Sequence, residues 1–219
     1  MTYPIREQAV RLVQSLAACP GARMEECRQV VLVVNSDAAS CEAAIYVLEH
    51  ISGQWRVVSG PVSGNIGRNG FAPPGGKREG DGRTPSGIFG LGTAFGYPPA
   101  VDTGMAYRQS GEDDFWVNDV GSPDYNRWVK GARDGTSVER MKRDDDLYKY
   151  GIVVEYNTDP VVRGLGSAIF LHVWVGAGAP TDGCVSMSEE AILLVLAWLD
   201  ASAKPVAVMG TEGHLAAIG

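Results

Sequence analysis

Twelve of the chain's 28 glycines and six of its 12 prolines fall between Gly60 and Ala100. A stretch so rich in both cannot sustain a long helix, because glycine adds backbone entropy to the unfolded chain and proline removes an amide donor. With 28 glycines in 219 residues, about twice the usual share, a loop-rich, mainly β chain is expected rather than a helix bundle. Residues 60–100 themselves read as loop. A connection of this length inside a compact domain is either functional or disordered, and the interleaved Lys77, Arg78, Arg83, Phe89 and Phe95 favour an ordered one.

Hydrophobic spacing supplies the elements on either side. Ile5, Ala9, Leu12, Val13 and Leu16 line one face of a helix predicted over 5–18. Val30 to Val34 form a short apolar run, and Ala44 to Leu48 with Trp55 to Val58 read as a hairpin turning at Gly53. The strongest strands are GIVVEY (151–156) and AIFLHVWV (168–175), both rich in β-branched and aromatic residues. A helix is predicted to begin directly after Cys184, with Ser186 and Glu189 as its capping box, and to end at Lys204 and Pro205 before a last strand at Val206 to Met209. The run Asp144, Asp145, Asp146 reads as solvated surface. No repeat or linker divides the 219 residues, a length that suits one large domain.

Several functions are disfavoured. A net charge of -7 without any basic cluster speaks against nucleic acid. No run of 18 apolar residues is available for a membrane span, and the first 30 residues contain no signal-peptide core, so either the chain is cytosolic or an export signal lies outside it. No two of Cys19, Cys27, Cys41 and Cys184 stand at metal-ligand spacing, so neither zinc nor another cofactor is expected. A phosphate loop ending at Lys77 would need glycine where Phe71 stands and Ser or Thr where Arg78 stands; the dinucleotide, H-E-x-x-H and G-x-S-x-G signatures are missing as well.

One pair of chemically active residues remains. His172 falls late in a predicted strand, and Cys184 follows after a Gly/Pro loop, directly before the predicted helix. A helix N-terminus and a neighbouring imidazolium would both lower the thiol pKa, so Cys184 is expected to be the cysteine that iodoacetamide labels fastest. The amides around Gly183 would be open to a developing oxyanion. Spacing alone leaves open whether the pair is catalytic or merely a buried cysteine and a core histidine.

The string from His172 to Met187, with Thr181-Asp182-Gly183-Cys184 at its centre, resembles the signature of the YkuD-type L,D-transpeptidase catalytic domain: a histidine, a loop, then Ser/Thr-x-Gly-Cys. Upstream, KREGDGRTPSGIF resembles that family's G-D-x-x-T-P-x-G-x-F segment, in the family's order. The resemblance implies a mainly β domain with a mixed sheet and short helices over 30–219, preceded by an N-terminal helical extension, 1–29. It also implies a cysteine acyltransferase of peptidoglycan stem peptides, working outside the cytoplasm. Cys184 would be the nucleophile, His172 the general base held by a backbone carbonyl, and Gly183 part of the oxyanion site. Thr181, Asp182 and Ser186 would line the substrate groove. Lys77, Arg78 and Arg83 would bind stem carboxylates through charge-assisted hydrogen bonds. Asp182 and Ser186 depart from many members, which carry His and Arg there. Carbapenems, by the same resemblance, would acylate Cys184. Water in place of an amine acceptor would make the same scaffold a hydrolase, and loss of the chemistry would leave a silent cell-wall binding module. If the protein works outside the cytoplasm, Cys27 could pair with Cys19 or with Cys41.

Overall fold

The computed structural model describes residues 6–19, 24–131 and 135–218. Twelve strands run in chain order as β1 (Gln29–Asn35), β2 (Glu42–Ile51), β3 (Gln54–Asn65), β4 (Gly87–Gly96), β5 (Tyr107–Gln109), β6 (Asp114–Val117), β7 (Trp128–Lys130), β8 (Val138–Arg140), β9 (Tyr150–Val154), β10 (Phe170–Val173), β11 (Val185–Met187) and β12 (Val206–Thr211). The helices are α1 (Arg6–Ala17), α2 (Glu189–Trp198) and α3 (Glu212–Ala216). With 37% strand against 15% helix, the fold is mainly β.

Strand β1 is buried along its whole length, which is why its sequence reads as an unbroken apolar run. Val31 and Val33 enter one core, shared with α2; Val30, Leu32 and Val34 enter a second, shared with Ala9, Val13 and Leu16 of α1. The helix predicted over 5–18 is thus present, with Ile5 outside the described residues. The hairpin is β2 and β3, paired from Ile51 opposite Gln54 outward.

The large sheet has the order β12-β1-β2-β3-β11-β10-β9-β4-β5, and β4 pairs with β12 as well, so the sheet closes on itself. Pairing is parallel between β1 and β12, β10 and β11, and β4 and β5, and antiparallel elsewhere, which makes the sheet mixed. A second, three-stranded sheet of β7-β6-β8 packs outside it. Trp116 of β6 meets the Phe170 ring of β10 at 5.1 Å.

Two expectations are corrected. Residues 60–100 are not all loop, since they contain the end of β3 and the ten-residue strand β4. The glycines in β4 answer a need for close approach: a Cβ at Gly96 would sit 2.4 Å from the Lys149 carbonyl oxygen across the ladder. The second correction concerns the helix after Cys184. Residues 185–187 form strand β11, and α2 starts at Glu189 with Ser188 as its cap, its hydroxyl accepting from the Ala191 N–H at 3.2 Å. Ser186 does not cap it. Tertiary pairing decides this, because β11 is held between β10 and β3 on both edges, and Val185 and Met187 are fully buried in the core below.

Candidate active site

Leu171 and Val173 of β10 and Val185 and Met187 of β11 all point into the core shared with α2. Alternation along a strand then turns Phe170, His172 and Ser186 to the opposite face. His172 stands opposite Ser186 in the parallel register, so Cys184, two residues earlier, is one diagonal step away. His172 and Cys184 both open into a cavity of about 400 Å³, a size typical of small-ligand sites.

The backbone around Cys184 is fixed by both motifs read from the sequence. The hydroxyls of Thr181 and Thr84 donate to the Cys184 carbonyl oxygen at 2.7 and 3.3 Å, the latter from 100 residues upstream. The Gly67 N–H in turn donates to Thr84 Oγ1 at 2.9 Å. Gly183 is needed where these loops touch: its φ is +144°, and a Cβ there would lie 2.9 Å from the Arg83 carbonyl oxygen. The Cys184 thiol donates to the Ala168 carbonyl at 3.2 Å and accepts from the Phe170 N–H at 3.4 Å.

His172 Nδ1 lies 2.7 Å from the Val173 carbonyl oxygen. A carbonyl only accepts, so in the neutral ring Nδ1 carries the proton and Nε2 is the basic nitrogen. The Tyr148 ring meets the imidazole edge to face at 5.2 Å, and the Tyr148 hydroxyl donates to Glu139 Oε2 at 2.7 Å. Burial lowers the His172 pKa to about 4, with the Arg143 charge adding to the effect and the Val173 carbonyl opposing it. Burial likewise raises the Cys184 thiol to about 12; the Glu139 charge adds to this and the Phe170 amide offsets part of it. Near neutral pH the pair therefore rests as thiol and neutral imidazole. A neutral imidazole held through Nδ1 is equipped, through Nε2, to take the thiol proton as sulfur attacks, by general base catalysis.

These values overturn the expected labelling order. Cys184 does not lie at a helix N-terminus, and it is buried, whereas Cys19 and Cys41 are half-buried. Iodoacetamide at pH 7.5 should modify Cys19 and Cys41 before Cys184. Because its folded-state pKa is raised, labelling of Cys184 should still be accelerating above pH 9. Peptide mapping after timed quenching measures both, and Cys184 labelled first near neutrality would contradict this account. All four cysteines are free thiols, so Cys27 is paired with neither Cys19 nor Cys41; the Cys27 thiol is buried and donates to the Gln29 carbonyl. Among the described residues no group of three metal-ligating side chains comes together.

The other expected site residues separate into three groups. Thr181, Asp182, Gly183 and Ser186 line the cavity. Thr181 supports the Cys184 backbone, Asp182 forms an ion pair with Arg68, and Ser186 is buried beside Asn65. Lys77 also reaches the cavity wall, but it is only 3% exposed and its ammonium donates to Asp81 Oδ1 and to the Arg78 carbonyl. Burial works to raise the Asp81 pKa, yet the Lys77 bond and the amides of Arg78 and Arg83 outweigh it and hold the carboxyl below its usual range. Arg78 and Arg83 do not line the cavity. Their guanidinium groups donate to backbone carbonyls, of Gly75 and Lys77 and of Phe71, and brace the loop.

Besides the buried Lys77, the cavity's cations are Arg68 and Arg143, and Glu79 and Glu139 are carboxylates of its wall. Sequence reasoning missed all four. Glu79 did carry a signal, lying inside the KREGDGRT segment. Glu139, Arg143 and Tyr148 come from a stretch without periodicity that only the folded chain brings to His172.

A closed, mixed β-sheet presenting a histidine from one strand and a cysteine just before its parallel neighbour defines the class. Residues 30–208 match the model of the YkuD L,D-transpeptidase catalytic domain, and the chain belongs to that family. No curated protein matches it. Among solved structures it is similar to the helical cell shape determining protein Pgp2 from Campylobacter jejuni, with 16% identity and a TM-score of 0.42 over 84% of this chain and 48% of that one. It is also similar to Bd1075 of Bdellovibrio bacteriovorus, with 16% identity and a TM-score of 0.42 over 88% and 53%. The chain thus spans about half the length of these solved chains. Among the described residues no helix is long and apolar enough to cross a membrane.

Proposed function

We propose that the protein is an L,D-transpeptidase acting on peptidoglycan stem peptides outside the cytoplasm, with a catalytic domain from residue 30 onward and residues 1–29 as a helical extension. Cys184 Sγ attacks the amide that follows the diamino acid of a tetrapeptide stem, and His172 Nε2 takes the thiol proton. His172 then returns that proton to the nitrogen of D-alanine as the carbon–nitrogen bond breaks and a thioester remains. An amine from a neighbouring stem attacks the thioester, His172 accepts the amine's proton, and sulfur leaves to be reprotonated. We assign the Cys184 amide to the developing oxyanion, because the Gly183 N–H already donates to Thr181 Oγ1 at 3.1 Å. No cofactor takes part.

The observation that carries this reading is the shared cavity of Cys184 and a histidine whose Nδ1 is occupied by a carbonyl. Incubation with a defined tetrapeptide muropeptide and an amine acceptor should yield, by mass spectrometry, a cross-linked product lacking one alanine. Tripeptide without cross-link would assign a hydrolase, and unchanged muropeptide would leave only a binding module.

A further inference from the structure

Glu79 lines the cavity that holds Cys184 and His172, yet the reaction above does not use it. Its Oε2 accepts from the Tyr125 hydroxyl at 2.5 Å and from the Ser167 hydroxyl at 2.7 Å. Ser167 precedes Ala168, whose carbonyl receives the Cys184 thiol. The carboxylate is therefore anchored to the segment that seats the nucleophile.

What distinguishes Glu79 is the absence of a cation. No Lys, Arg or His pairs with it among the described residues, since Lys77 is committed to Asp81 and Arg78 to carbonyls of its own loop. Of the other carboxylates of the cavity, Asp182 pairs with Arg68, and Glu139 feels the charge of Arg143, whose own ion pair is with Asp145. A half-buried carboxylate without a counter-ion gains more from a bound cation than an exposed one does. Both hydroxyls use the same oxygen, so Oε1 is the acceptor left for a ligand. A single free oxygen suits the point charge of an ammonium better than the two-pronged fork of a guanidinium.

We propose that Glu79 is a specificity-determining residue that binds the free ammonium on the side chain of the donor stem's diamino acid. This rests on the stem-peptide reading given above. The test uses two tetrapeptides that differ at one place, the side-chain ammonium or a methyl group of similar size, with a separate small amine as acceptor. Wild-type protein should prefer the ammonium peptide by about 10- to 100-fold in kcat/KM, mostly through KM. Glu79→Gln keeps an acceptor oxygen for Tyr125 and Ser167 and should treat the two peptides alike within about 3-fold. Circular dichroism confirms that the variant is folded, and the wild-type comparison needs no variant at all. Equal use of both peptides by the wild type, or an undiminished preference in Glu79→Gln, overturns the proposal while the transpeptidase reading stands. If neither peptide is turned over or bound, both fall together.

Discussion

A carbapenem is expected to add its mass to the wild-type protein; Cys184→Ala should abolish that gain, and His172→Ala should slow it by about 10² to 10⁴. The first effect is complete because the adduct is the Sγ–carbon bond itself. The second follows from the resting state of the pair. With the thiol raised to about 12 and the imidazole lowered to about 4, almost no thiolate exists near neutral pH, so the proton must leave as sulfur attacks. On the proposed mechanism His172 Nε2 would receive it, since the Val173 carbonyl lies against Nδ1. The measurement is the rate of mass gain on protein shown to be folded by circular dichroism. A folded His172→Ala variant acylating at the wild-type rate would remove His172 from the mechanism, and an adduct surviving in Cys184→Ala would remove Cys184.

Phe170→Ala should lower the free energy of unfolding by about 3 to 5 kcal/mol, the range for removing a large aromatic side chain from a closed core. Phe170 has no exposed surface, and its ring meets those of Phe95, Trp116 and Tyr148 edge to face at 5.3, 5.1 and 5.6 Å. It joins the large sheet to β6 on one side and to Tyr148, the neighbour of His172, on the other. Its amide is also the donor to Cys184 Sγ. Urea unfolding followed by tryptophan fluorescence measures the change. A loss below about 1 kcal/mol would show that the ring cluster fills space without holding the two sheets together.

Much of this fold was legible in the sequence because burial leaves a direct trace. β9 and β10 lie where the β-branched and aromatic runs placed them, and the periodicity of α1 corresponds to the residues it buries. His172 and Cys184 could be singled out by chemistry alone, as the residues left once metal, nucleotide and serine-hydrolase patterns had failed. Composition misled at β4, where glycines that usually mark loops are required by the close passage of Lys149 and Glu155. A local capping pattern misled at Ser186, where pairing on both edges of β11 outweighed the helix signal. Burial reversed the expected electrostatics, because lost hydration raises a thiol and lowers an imidazole wherever compensating charge is scarce.

The amino-acid sequence by itself determined the β-rich class, the strands at the centre of the sheet and the two motifs that carry the family. Each of these depends on residues near one another in the chain. Only the tertiary structure decided that the motifs meet through Thr84 and Cys184, that Arg78 and Arg83 brace a loop while Arg68 and Arg143 face the cavity, and that Glu79 has no ion pair among the described residues. Those outcomes depend on which distant segments pack together and which charges find partners first, and no local pattern encodes either.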